Sequence, residues 1–237
     1  MFGFQQTKTA DNESTKQAAN PGFPETDVTL IVEDQKIHVN KAVLCEHSPV
    51  FGTMFMSQFK ERSAKEITLV DKKAADVVEF LKSFYPNMNH PINSNNVLQV
   101  LPLAHEYHSP LVADCEDFMI AMCKPDKGLA ISTLLDYILA GDKYGLTRFL
   151  EAAVEFCANI DYQLLSGKSK SNSVDPPFAM NISNRSEATI AKPISWKFSE
   201  IELKTRFAIA EKRLSLLEKS KSVVLSKKKS FHRVPIV

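Results

Sequence analysis

A chain of 237 residues with 44% hydrophobic and 24% charged side chains has the composition of a globular protein, which argues against a wholly disordered or membrane-embedded class. A formal net charge of +1 supplies no global field, so the sequence gives no support to nucleic acid as a partner. No run approaches the roughly 18 apolar residues of a membrane helix, and no membrane partner is expected.

Residues 1–26 are rich in Thr, Gln, Asn and Lys and end at Pro21-Gly22 and Pro24, the pattern of a flexible arm. A period of two then begins. Val28, Leu30 and Val32 alternate with Thr29, Ile31 and Glu33, and the apolar Ile31 predicts that both faces of this strand are at least partly covered. Glu33-Asp34-Gln35 turns the chain, and Ile37 and Val39 resume the alternation, which predicts a hairpin. From Lys41 the spacing becomes helical; Ser48-Pro49 starts a second helix whose Phe51, Met54 and Phe55 share one face. The run Glu66-Ile67-Thr68-Leu69-Val70 reads as a third strand.

In the next stretch, Asp71 is the expected cap of a helix carrying Ala74, Val77, Val78 and Leu81, which Pro86 stops. Ser94 is the expected cap of another, containing Val97, Leu98, Leu101 and Ala104. Pro102 predicts a kink or interruption in it, since an interior proline costs about 3 kcal/mol when not accommodated. Ser109-Pro110 opens a helix with Leu111, Val112, Cys115, Phe118, Met119 and Met122.

The successive blocks DVTLIV, VNKAVLCEHSPVFGTMF, FKE and KEITLVD resemble a BTB/POZ domain, over residues 27–123. The resemblance implies an α+β fold, a small β-sheet capped by a helical cluster, followed here by further α-helices. It also implies a homodimer acting as a protein-interaction module with no catalytic residues, not an enzyme. Asn40 stands where a His commonly precedes the Arg or Lys in zinc-finger members. Many dimeric members add a helix and a swapped strand before this domain, and residues 1–26 have the periodicity of neither.

Phe59-Lys60-Glu61 matches the position of the hydrophobic-x-Glu motif through which family members contact cullin-3. An exposed Phe59 would fill a groove between cullin helices while Glu61 supplies directional polar contact; the alternative is that Phe59 closes the core and Glu61 is solvated. Tyr107 and His108 lie where the family offers a second cullin contact, Tyr107 being equally readable as a partly buried helix cap. Asp27 and Lys41 match the family's charged pair beneath the dimer surface, a structural pair and not an active site.

Beyond the domain, residues 124–161 read as a helical pair resembling the start of a BACK region, with Leu134, Leu135, Ile138 and Leu139 facing Phe149, Leu150, Ala153, Val154 and Phe156. Residues 162–195 fall to Ser, Asn, Lys and Pro, a linker. A single amphipathic helix is expected over 196–220. Its stripe Leu203, Phe207, Ala210, Leu214 and Leu217 lasts two heptads, and docking on its own domain is the expected use, a partner helix or substrate-binding element the alternative. Residues 221–237 form a basic tail; from 196 onward there are 11 Lys or Arg against 4 Asp or Glu. Lys227-Lys228-Lys229 reads as a solvated tail, with a nuclear address or an acidic-partner contact as alternatives.

Other chemistry finds little material. There is no Gly-rich phosphate loop and no G-x-S-x-G elbow. His105 and His108 stand at i and i+3 and do not align with the i, i+4 pair of an HExxH site; Cys45 and His47 point apart on a helix, so neither a metal nor another cofactor is expected. The four cysteines, Cys45, Cys115, Cys123 and Cys157, have no CxxC spacing, and MFGFQQTKTADN lacks the apolar core of a secretion signal. Reduced thiols and a cytoplasmic or nuclear location follow as expectations, and the sequons at Asn12, Asn181 and Asn184 are read as chance. Together these readings point to a dimeric BTB adaptor that recruits a protein substrate to a cullin-3 ubiquitin ligase. The alternative is a BTB dimerisation scaffold or transcription-linked factor that meets no cullin.

Overall fold

The computed structural model describes Phe23 and residues 26–56, 63–86, 88–168 and 193–231, the last nine as helical backbone alone. Most of the expected arm, most of the linker, and all side chains of the basic tail after Ser222 lie outside the described residues. The chain divides into two compact units, residues 1–90 and 91–237.

In the first unit, β1 (Val28–Val32) pairs antiparallel with β2 (Gln35–Val39) and parallel with β3 (Glu66–Thr68), giving the order β2-β1-β3. Leu30 lies opposite both Ile37 and Ile67, and all three are buried, so one face of the sheet is closed by apolar side chains from every strand. Thr29 and Ile31 on the other face are half-buried, as the sequence predicts. The parallel partner requires a crossover, and α1 (Lys41–His47) and α2 (Pro49–Met56) lie within it. Asn40 starts α1 by accepting the Ala42 and Val43 amides at 2.9 and 3.3 Å. Ser48 starts α2, its Oγ accepting the Phe51 amide at 3.2 Å.

The helix α3 (Ala74–Lys82) is not capped by Asp71. Its first amide, that of Ala74, donates instead to Glu33 Oε2 at 2.9 Å, a carboxylate from the β1–β2 turn. Asp71 itself lies in a left-handed conformation, φ 59°, three residues upstream of the helix. Phe23, inside the stretch expected to be a free arm, is 5% exposed and its ring packs 4.4 Å from that of Tyr85. At the end of α3, Glu79 bonds His90 Nε2 at 2.6 Å and Lys82 Nζ at 3.3 Å.

The second unit, among the described residues, is helical. α4 (Val97–Glu106) runs through Pro102, so of the expected kink or interruption the interruption does not occur. The carbonyl that the missing Pro102 amide would have bonded belongs to Leu98, an exposed residue, where water can replace the lost donor. Ser94 does not cap this helix either. The approach is fixed by Asn96, 2% exposed, whose Oδ1 accepts the Asn93 amide at 2.8 Å and whose Nδ2 donates to Pro91 O at 3.2 Å. α5 (Leu111–Met122) follows, its first amide 3.4 Å from Ser109 Oγ.

A 3-10 turn, Pro125–Lys127, leads to the expected pair, α6 (Ile131–Tyr144) and α7 (Thr147–Ala158). Gly145 ends α6 at φ 68°, the left-handed conformation that glycine adopts without a Cβ penalty. Gly141 serves a different end, because a Cβ there would stand 2.8 Å from Phe149 Cδ1. The two helices approach each other closely through that gap. α7 has no cap of its own; Glu116 of α5, 9% exposed, reaches over and accepts the Phe149 amide at 3.0 Å. α5, α6 and α7 enclose Cys115, Met119, Leu134, Tyr137 and Phe149, each fully buried.

After the short α8 (Tyr162–Leu165), the single helix expected over 196–220 is two: α9 (Ile194–Glu200) and α10 (Leu203–Phe231). Ile201 adopts an extended conformation, ψ 139°, and breaks them. Lys197 of α9 is buried, its ammonium 2.6 Å from Asp136 Oδ2 and 2.8 Å from Ser132 Oγ, which fastens α9 to α6. Asp142 then seats α10: its Oδ2 accepts the Glu202 amide at 3.0 Å and its Oδ1 the Thr205 hydroxyl at 2.6 Å.

Two measurements follow from this packing. Gly141→Ala is expected to lower stability in chemical denaturation by about 1–2 kcal/mol, overpacking outweighing the roughly 1 kcal/mol that Ala gains over Gly in a helix. For Glu79, burial pushes the carboxyl up, but the bonds and charges of His90 and Lys82 outweigh it and leave the group below its ordinary value. A lowered carboxyl stabilises the fold above its unfolded pKa, about 4.3, and loses that contribution as pH falls through the folded value. Melting curves of wild type and Glu79→Gln should therefore differ most above about pH 5 and converge as the pH falls below the unfolded value.

Candidate partner-binding surface

The residues singled out for cullin contact and the expected structural pair fall in three places. Phe59 and Glu61 lie outside the described residues. Tyr107 and His108 form the corner between α4 and α5 in the second unit. Asp27 and Lys41 lie in the first unit, where β1 begins and α1 starts.

The α4–α5 corner closes by two reciprocal backbone bonds. The Ser109 amide reaches back to Ala104 O at 2.8 Å and the His108 amide to His105 O at 3.2 Å, the Schellman pattern that satisfies the last carbonyls of a helix. The pattern needs a left-handed residue between the helix and the returning chain. Glycine is the usual choice there, but here it is His108, at φ 51°. A non-glycine residue in that region carries about 1 kcal/mol of strain, and the result is an exposed imidazole at the corner. Tyr107 points the other way. It is 6% exposed, and burial, with a smaller push from Glu106, raises its phenol to about 12, so it stays protonated across the physiological range.

Asp27 and Lys41 do meet. Asp27 Oδ1 accepts the Lys41 backbone amide at 2.7 Å, which fixes the first turn of α1 to the foot of β1. The Lys41 ammonium extends beyond, 3.2 Å from Ala64 O and 5.2 Å from the Phe55 ring centroid. Next to it, Asn40 uses its side chain for the α1 cap and donates its backbone amide to the Tyr85 hydroxyl at 2.5 Å. Asn40 thus ties strand, helix and the Tyr85–Phe23 aromatic pair at one point.

A feature that sequence reasoning missed is a groove of about 1110 Å³ between α7 and α10, floored by Leu150, Val154 and Ala208 with Glu151, Glu202 and Glu211 around it. Its counterpart is the outer side of α10. Leu203, Phe207, Leu214 and Leu217 are between 49% and 74% exposed, so the stripe expected to dock on its own domain faces away from it. The docked side is Thr205, Ile209 and their neighbours, with Lys212 bonded to Glu155 and Arg213 to Ile160 O. The missed signal was Asp142, whose two bonds set the rotation of α10 about its axis.

The thiols are free, and burial pushes Cys115 and Cys157 to about 12 and Cys123 to about 11. Among the described residues, no group of three or more His, Cys, Asp or Glu is placed to hold a metal ion, and no helix is long and apolar enough to cross a membrane.

Comparison with known proteins places this geometry. The BTB/POZ domain model matches residues 18–122. Those residues form a BTB/POZ domain. BTB and MATH domain-containing protein 38 of Caenorhabditis elegans is 41% identical over 95 residues, which is 40% of this chain and 24% of that protein. Human Kelch-like protein 7 is 32% identical over 111 residues, 46% of this chain and 19% of its own length. Zebrafish Kelch-like ECH-associated protein 1A is 35% identical over 118 residues, 49% of this chain and 19% of that protein. The chain thus spans about a fifth to a quarter of each of these three relatives. The matched residues include β1 to β3 and α1 to α5, and the remaining helices from α6 onward lie beyond the BTB/POZ match.

The contacts of Lys41 give a direct check on its place in the domain. Lys41→Ala removes the bond to Ala64 O and the contact with Phe55, and should cost about 1–2 kcal/mol. Thermal unfolding beside Lys65→Ala, an exposed control expected within about 0.5 kcal/mol of wild type, reads the difference.

Proposed function

We propose that this chain is a dimeric BTB adaptor that recruits protein substrates to a cullin-3 ubiquitin ligase. The observation that carries the reading is the BTB/POZ domain over residues 18–122, with Kelch-like and BTB and MATH domain-containing relatives. Phe59, Glu61 and His108 are its proposed cullin-facing residues, with Tyr107 buried beneath His108 as its support. Asp27 and Lys41 are the proposed structural pair of the dimerising part. The chain contributes binding and orientation, and the ligase chemistry comes from the recruited subunits. The proposed site of action is the cytoplasm, with Lys227 to Lys229 as the element that would direct the chain to the nucleus under the scaffold reading.

His108 supports the reading in a specific way. A side chain kept exposed at a left-handed position that glycine would occupy without strain is more readily understood as serving contact than stability. Aromatic and imidazole groups at such corners supply area and direction to a partner helix.

The test is binding of the full chain to the amino-terminal repeat of cullin-3, with dimer mass and circular dichroism measured in parallel. The Phe59→Ala, Glu61→Ala double variant should stay folded and lose at least tenfold in affinity, about 1.4 kcal/mol. His108→Gly should keep or gain up to about 1 kcal/mol of stability while binding more weakly. Absence of binding by the wild type would overturn the adaptor reading and leave the scaffold one.

A further inference from the structure

The apolar residues on the outer side of α10 recur at 203, 207, 210, 214 and 217, spacings of four and three, the seam of a two-stranded coiled coil. Leu203, Phe207, Leu214 and Leu217 are 74, 67, 57 and 49% exposed while Ile209, on the opposite side, is 1% exposed. One side of the helix is thus committed to its own unit and the other is free among the described residues. Taking Phe207 and Leu214 as a positions and Leu203, Ala210 and Leu217 as d positions, the flanking g residues are Arg206 and Arg213 and the flanking e residues are Lys204, Glu211 and Glu218. Arg213 bonds Ile160 O of its own unit through Nη1, so it meets a partner helix with the rest of its guanidinium fork.

We propose that this face of α10 pairs with α10 of a second copy of the chain as a parallel, in-register coiled coil. The charges select both occupant and direction. In a parallel pair each g residue faces the e residue five positions on in the other helix, which sets Arg206 opposite Glu211 and Arg213 opposite Glu218, on both sides of the seam by symmetry. An antiparallel pair with the same apolar layers sets Phe207 against Leu217 and Ala210 against Leu214. It then brings Glu211 opposite Glu211 and Arg213 opposite Arg213, like charges at its centre. The same helix is therefore a complementary partner in one direction and a repulsive one in the other.

Two heptads are fewer than the three or four that identify a coiled coil from sequence alone. Here α7 and Asp142 already hold the start of α10 as a helix, so pairing does not have to supply the cost of nucleating it. Lys221 occupies the next a position and ends the apolar seam, which disfavours a shift of register by one heptad. The pairing uses residues separate from those of the cullin reading and stands or falls apart from it.

The experiment is disulfide formation in the full chain under mild oxidation, read on non-reducing gels against the wild type with its four native cysteines. Leu214→Cys places the same a position of two parallel helices side by side and should convert most of the chain to covalent dimer. Ser215→Cys, which lines the groove toward α7, should remain at the wild-type background. Glu211→Arg with Glu218→Arg, added to Leu214→Cys, should cut the cross-linked yield several-fold, and raised salt should recover part of it. Circular dichroism of each variant confirms the helix content. Cross-linking of a mixture of Phe207→Cys and Leu217→Cys chains, without Leu214→Cys dimer, would overturn the parallel direction. No Leu214→Cys dimer above background in folded protein, or equal yield from Ser215→Cys, would overturn the pairing itself. Phe59→Ala with Glu61→Ala should leave the Leu214→Cys yield unchanged, so loss of cullin binding and loss of pairing are read separately.

Discussion

Carboxylates that seat helix starts from a distance hold much of this structure together. Among the described helices, three starts are supplied by a carboxylate from a distant part of the chain. Glu33 in the β1–β2 turn accepts the first amide of α3, Glu116 of α5 accepts an amide in the first turn of α7, and Asp142 of α6 accepts the amide just before α10. A helix start carries unpaired donors and a partial positive charge, so an anion there satisfies hydrogen bonds and field together. The bond to a residue far away in sequence does one thing a local cap cannot, because it fixes where the helix begins relative to another element. In the first unit it joins the hairpin to α3. In the second, two such bonds chain α5 to α7 and α6 to α10, around the core of Tyr137 and Phe149.

The consequence is largest for α10. Hydrophobic pattern alone favours turning Leu203, Phe207, Leu214 and Leu217 inward, since burying them would be worth about 1.5–3 kcal/mol each. They face outward because the helix is not free to rotate. Asp142 holds Glu202 and Thr205, Lys212 meets Glu155, and Arg213 reaches Ile160 O, all on the same side as Ile209. A row of four large apolar residues left in water by several concerted polar bonds is a different matter from a single exposed leucine, which any protein surface contains.

The sequence made the β1–β2 hairpin, the third strand, α1, α2, α5 and the α6–α7 pair legible because each carries its own hydrophobic period, and α2 and α5 their own Ser-Pro start. Ser48-Pro49 and the alternation of Val28, Leu30 and Val32 are complete within a few residues. What was not legible was supplied across the chain. Asp71 and Ser94 sit at sound cap positions, yet Glu33 and the Asn93–Asn96 loop perform those tasks, through contacts that no local window contains. Pro102 was read as a kink or interruption, and α4 continues past it without interruption, the residue one turn earlier, Leu98, being exposed. Ile201, an ordinary helix former by pattern, instead adopts an extended conformation between α9, fastened by Lys197, and α10, seated by Asp142. Of the candidate site, the positions of Tyr107, His108, Asp27 and Lys41 came from family resemblance; their burial and bonding came only from the structure.

That difference separates the two members of the α4–α5 corner. Tyr107 is accounted for by the fold: it ends α4, its ring is buried, and its phenol remains protonated, so its identity needs no partner to explain it. His108 is not accounted for in this way. Its neighbours Ser109 and Ala104 would close the same helix end if residue 108 were glycine, and the fold would then be relieved of strain. A residue that the fold tolerates but does not need, held by backbone bonds, would serve the proposed contact as a preorganised point, since binding through it orders nothing that is not already ordered. By that criterion His108 is the member of the corner whose chemistry is available to another protein, and Tyr107 is the support beneath it.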